Sequence, residues 1–178
     1  MLLIFVQTMV LAIAFGAVYM DLRCQKVDNL FLLLFLILGF GYQIWSDGLR
    51  GMARFFLGIG VPVLCLYILF VFRMLGAGDI KLLSVLGGWI GPKCISKCIL
   101  LSLLFGAGLS VLVIFICGNL KARLHYFKTY LNLILHTKDI LKKDNIIPYY
   151  IPGDRMENIH FTVPILMSIV IYAGGLLG

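Results

Sequence analysis

The sequence predicts an all-α fold, a polytopic membrane helical bundle of about six transmembrane helices. Three observations predict it. Apolar residues make up 62% of the 178 residues and charged residues only 13%, with a mean hydropathy of +1.05, whereas soluble domains carry roughly 45–50% apolar residues. The apolar runs are long and unbroken, as helices in lipid require, where barrel strands would alternate. The Lys and Arg residues fall between these runs, as the loops of a multi-pass protein do.

Six apolar segments follow in order, at about 2–20, 30–45, 52–72, 79–91, 98–117 and 161–177. The first lacks the basic start of a secretory signal, so it reads as a retained membrane helix even though Ala12-Ile13-Ala14 resembles a cleavage site. Short turns separate the next segments. The fourth is short and glycine-rich, and it opens on Gly76-Ala77-Gly78-Asp79. Gly118-Asn119 breaks the chain after the fifth. In the long basic loop 118–160, Leu120, Leu124, Phe127, Leu131 and Ile134 recur at helical spacing, while Lys121, Arg123, His125 and Lys128 fall largely elsewhere. That pattern predicts an interfacial amphipathic helix on the lipid headgroups. Pro148, Pro152 and Gly153 keep the approach to the last segment non-helical. One membrane domain, 1–178, accounts for the whole.

The net charge of +7 does not point to nucleic acid, since the basic residues form no single patch with interleaved aromatics. It orients the chain instead. With the N-terminus outside, Arg50, Arg54, Lys93 and Lys97 lie on the outer side, and the remaining Lys and Arg, most of them in the long loop, lie in the cytoplasm. Cys24, Cys65, Cys94, Cys98 and Cys117 form no CxxC pair, and none has the neighbours of a metal site, so they read as single buried thiols. No metal and no cofactor is expected.

The same orientation brings two carboxylates to the cytoplasmic face, Asp21 at the end of the first segment and Asp79 at the head of the fourth. An ionisable group in a membrane segment is costly and marks function. Taken singly, Asp79 could be a helix N-cap after a glycine turn, and Asp21 an interfacial acid paired with Arg23 or Lys26. Together they suggest aspartyl proteolysis, in which one carboxylate deprotonates water and the other, protonated, polarises the scissile carbonyl. Like charges close together share one proton. The sequence leaves open which acid is the base. Gly76 and Gly78 allow unusual backbone torsions and the approach of an extended peptide. Lys81 either tunes the pair or snorkels to the headgroups. Asp28, Asp47, Asp139, Asp144 and Asp154 read as solvated loop acids, with Asp28 the nearest to Asp21.

These residues resemble the type IV prepilin peptidase family. Asp21-Leu22-Arg23 with Asn29 downstream is similar to its first block, and Gly-Ala-Gly-Asp-Ile-Lys at 76–81 is similar to its GxGD block. The first block commonly reads Ile-Pro-Asn where this chain has Val27-Asp28-Asn29, and 159–165 only loosely matches the proline-containing start of the family's last helix. The resemblance implies a multi-pass aspartic endopeptidase of the cytoplasmic membrane. It would have Asp21 and Asp79 catalytic, and Gly76, Gly78, Lys81, Asn29 and Arg23 shaping the site. The substrate would be a prepilin or pseudopilin precursor of a type IV pilus or protein-secretion system, cut between its basic leader and its hydrophobic helix. The chain lacks the four-cysteine region of members that also methylate, so no methyltransferase activity is implied. A different class, a small transporter or channel using the two acids as a proton or cation site, stays open. Gly87, Gly88, Gly106 and Gly108 allow close helix packing within one chain or between copies, which leaves a homo-oligomer open.

Overall fold

A computed structural model describes residues 2–24, 27–72, 75–117 and 161–175. These residues are helical throughout apart from short connections: α1 (Leu2–Cys24), α2 (Asn29–Val71), α3 (Ala77–Ile90), α4 (Pro92–Cys117) and α5 (Thr162–Ala173). The predicted interfacial helix within 118–160, His160 and the loop acids Asp139, Asp144 and Asp154 lie outside the described residues. The chain divides into two units, Met1–Gly106 with His160–Gly178, and Ala107–Ile159. All packing below concerns the first.

Among the described residues, three helices are long and apolar enough to cross a membrane: Ile4–Cys24, Asn29–Val71 and Pro92–Val113. With 43 residues, α2 would measure about 65 Å if straight, twice the ~30 Å hydrocarbon thickness. It does not run straight. At Gly48 the backbone takes φ 57° and ψ −132°, a conformation that glycine adopts and other residues resist. The two arms then lie side by side: the Phe40 ring meets those of Phe55 and Phe56 at 5.3 and 6.0 Å, and Arg54 reaches back to Asp47 at 2.6 Å. The arms match the expected segments 30–45 and 52–72, and Asp47, read as a loop acid, is helical. The fourth and last segments form helices of only 14 and 12 residues, about 21 and 18 Å long.

In α3, every residue from Leu82 to Trp89 is buried. A helix apolar on all sides belongs inside a bundle, and here both arms of α2 and also α1 pack on it. The closest approach is backbone on backbone. A methyl group on Gly58 would run into the Gly87 carbonyl, and one on Gly87 into the Gly58 carbonyl. Pro62, four residues beyond Gly58, has no N–H to give that carbonyl, and the Gly58 oxygen lies against Gly87 instead.

Polar side chains complete the packing at the other end of α3. The buried Gln43 Nε2 donates to the carbonyls of Gly88 and Trp89, each at 3.1 Å, two of the last carbonyls of a helix that water cannot reach. Trp89 Nε1 donates back to Phe35 O at 3.0 Å, and its ring stacks on Tyr42 at 5.6 Å. Gly91, at φ 83°, turns the chain into α4, which starts on Pro92, a residue suited to a first helical position.

The outer helices each present one buried stripe. Val10, Ile13, Ala14 and Ala17 are fully buried on α1, and Thr162, Ile165 and Ile169 on α5, spaced as one helical face. These two helices pack together. Trp45, Leu49, Leu64 and Leu100 are largely exposed, as the lipid-facing surface of a membrane bundle is. Among the described thiols, Cys98 is buried and Cys94 half-buried, whereas Cys24 and Cys65 are exposed, which corrects the expectation that all are buried.

Backbone conformation and close approach give separable predictions. Gly48→Ala is expected to cost about 1–3 kcal/mol from its forced torsion alone, since the added methyl meets nothing. Gly58→Ala is expected to cost about 1–3 kcal/mol by overpacking, whereas Gly60→Ala, with open space around its methyl, gains about 0.5–1 kcal/mol of helix propensity. Thermal unfolding of the three variants in detergent micelles measures all three.

Candidate active site

Two of the chain's acids, Asp21 and Asp79, lie at helix ends that share one end of the bundle. Asp21 lies in the last turn of α1, and its Oδ2 accepts a hydrogen bond of 2.7 Å from the hydroxyl of Thr162, the first residue of α5. Asn29 is the first residue of α2, and its Oδ1 accepts from Lys81 Nζ at 3.0 Å, which ties the head of α2 to the head of α3. The connection from Cys24 to Asn29 is short, so the end of α1 and the heads of α2, α3 and α5 share one end of the bundle. Asp79 sits there too, in the first turn of α3.

Asp79 is not the N-cap of its helix. The helix starts at Ala77 with Gly76 in the capping position, so Asp79 is the third residue, where an acid is favoured by the helix dipole and can fold back over the cap. It does fold back: a methyl on Gly76 would lie 3.1 Å from Asp79 Oδ2. Gly76 has φ −74° and ψ 146°, and Gly78 is not among the positive-φ glycines. The expectation of unusual torsions at this pair is therefore corrected. Gly76 gives room to the carboxylate, and a methyl on Gly78 would meet open space. Both Asp21 and Asp79 are half-buried.

Among the residues read from the sequence, the structure brings Lys81 onto Asn29. Arg23 turns along its own helix, its Nη1 donating to the Tyr19 hydroxyl at 2.8 Å with the guanidinium 6.0 Å from that ring. Asp28 is the N-cap of α2: its φ of −66° is a value proline would hold, and its carboxylate accepts from Leu30 N at 3.2 Å. The chain thus keeps a proline-like backbone at this position and adds a cap.

Two residues escaped sequence reasoning. Thr162 stands in the stretch 159–165 that only loosely resembles the family's last helix, and a lone Thr at a helix start is ordinarily a cap. Gln43 was a single amide in an apolar run, and that isolation was its only signal. Among the described residues, no three His, Cys, Asp or Glu side chains converge as metal ligands, and no buried side-chain nitrogen or oxygen lacks a partner. Beside the site, a cavity of about 380 Å³ lies between the arms of α2 and α3, lined by Asn29 and Lys81 together with Leu32, Leu36, Val63 and Val85.

No curated protein and no solved structure matches the chain. A family pattern does, over residues 7–116, a span that contains Asp21, Asn29, Gly76, Gly78, Asp79 and Lys81. The chain is a membrane protein by its apolar helices, and by that match it belongs to the type IV leader peptidase family.

Proposed function

We propose that this peptidase is an aspartic endopeptidase that removes the short basic leader of a prepilin or pseudopilin precursor at the cytoplasmic face of the membrane. The observation that carries the proposal is the shared end of the bundle, where the hydrogen bonds of Thr162 to Asp21 and of Lys81 to Asn29 gather the helix ends bearing the two acids. Six spans with the N-terminus outside would put that end in the cytoplasm, where the excess of Lys and Arg lies. Neither a metal nor a cofactor enters this chemistry, and it includes no methyl transfer.

In the proposed reaction one carboxylate takes a proton from water as the water oxygen bonds to the scissile carbonyl carbon. The other, protonated, donates its proton to the carbonyl oxygen. The tetrahedral diol collapses when the first acid passes its proton to the leaving nitrogen and the C–N bond breaks, and one hydroxyl proton returns to the second acid. A new carboxyl end and a new amino end result. The substrate's apolar helix would lie in the bilayer against the bundle, with the cavity lined by Leu32, Leu36, Val63 and Val85 open to its side chains. Lipid surrounds the rest, and a homo-oligomer is compatible with the glycine-rich helix faces.

Leader cleavage in membranes tests this directly. Asp21→Asn and Asp79→Asn should each lower the rate by about 10²–10⁴-fold with the protein still folded, and near-normal cleavage by either variant would sink the reading. Gly76→Ala, which presses on Asp79 Oδ2, should lower the rate about tenfold or more without unfolding the helix. Transport activity lost in the Asn variants, with no peptidase activity in the parent, would favour an ion-conducting role instead.

A further inference from the structure

We infer that the groove between the two arms of α2 and α3 is a binding site for one anionic phospholipid, with its phosphate on Lys81 and Asn29 and one acyl chain along the aliphatic wall. The lining carries the two halves of such a ligand in order. At one end Lys81 Nζ donates to Asn29 Oδ1 at 3.0 Å. The accepting oxygen is neutral, so the bond sets the direction of the ammonium without cancelling its charge. The ammonium has two further N–H groups and the Asn29 amide has its NH2, a set of donors that suits the oxygens of a phosphate. Beyond this pair the wall is aliphatic, with Leu32, Leu33 and Leu36 from the first arm, Val63 from the second and Val85 from α3. Ser84 adds no polar face, since its hydroxyl donates to Ile80 O at 2.8 Å. Leu33 is 56% and Val63 43% exposed, so the groove opens outward, to the side where lipid lies.

Register fixes the depth. Asn29, Leu32, Leu33 and Leu36 recur on one helical face, and Lys81, Ser84 and Val85 on another. From Asn29 to Leu36 a helix rises about 10 Å, less than one leaflet's share, about 15 Å, of the hydrocarbon core. Asn29 is the first residue of a helix long enough to cross the membrane, which sets it where headgroups begin. The groove therefore holds the upper part of one chain, in the leaflet on the side of the two acids. Lys81 is the one charged residue on the groove wall. The acids nearest in the chain serve helix starts: the Asp28 carboxylate accepts from Leu30 N at 3.2 Å, and Asp79 Oδ2 folds toward Gly76. A free phosphate would use the ammonium but not the aliphatic wall, and a phosphatidylcholine would bring a cation of its own toward Lys81. An anionic lipid uses both halves of the site. On the peptidase reading, substrate side chains enter this groove by displacing that lipid chain, but lipid binding itself needs no cleavage.

Photolabelling of the full chain in lipid nanodiscs tests the site. The probes are phosphatidylglycerol and phosphatidylcholine carrying a diazirine on one acyl chain, and peptide mapping is the readout. At equal content, phosphatidylglycerol should label the stretch 29–36 and Val63 about fivefold more than phosphatidylcholine, from the attraction of one lysine for an anionic headgroup. Lys81→Gln should bring the two lipids level, whereas Lys81→Arg, which keeps the charge, should retain the preference. Val63→Trp, which fills the groove from its lipid side, should lower labelling there by both probes. Equal labelling of the parent chain overturns the inference and requires no variant to fold. A preference that survives Lys81→Gln overturns it too. Labelling abolished by excess inorganic phosphate would assign the site to the free anion and overturn it as well. Failure of leader cleavage would sink the peptidase reading and leave the labelling pattern to decide the lipid site by itself.

Discussion

Everything in this bundle depends on α3 being buried on every side. Within a bilayer, lipid is as apolar as leucine, so no hydrophobic gain drives one helix onto another, and close packing has to supply the attraction. Gly58 and Gly87 allow the backbones of α2 and α3 to touch, which gives many weak contacts at short range. Pro62 contributes by freeing the Gly58 carbonyl for that crossing. The short helix is thereby held at a set depth, and with it the acid in its first turn.

Polar bonds then fix the two ends of α3 differently. At its C-terminal end, Gln43 and Trp89 satisfy groups that lipid cannot, which anchors the helix without chemistry. At its N-terminal end the bonds run between side chains from separate helices, Lys81 to Asn29 and Thr162 to Asp21. Hydrogen bonds between membrane helices are of modest strength on average, so their value here lies in direction. They fix the direction of polar side chains at helix ends.

Much of this was legible in the residues. The apolar segments of α1, both arms of α2 and α4 emerged from run length, and the GxGD stretch singled out Asp79 because a carboxylate in an apolar chain demands a reason. The turn inside α2 was legible too, as a gap between two apolar runs, although not as the positive φ that makes glycine necessary at Gly48. Asp79 as third residue rather than cap was not, because helix starts are set by backbone hydrogen bonds that several frames satisfy equally well. Cys24 and Cys65 misled for a related reason: in a membrane protein, an apolar position says nothing of whether it faces protein or lipid.

The sequence by itself determined that this chain lives in a membrane, is helical, and carries two short acid-bearing motifs that resemble those of leader peptidases, because hydropathy and short motifs are local properties. Only the tertiary structure decided which side chains meet. Thr162 on Asp21, Lys81 on Asn29 and Gln43 on the end of α3 join residues far apart in the chain. Such pairs are selected by the depth and rotation of packed helices, which depend on the whole bundle and leave no mark at either residue alone.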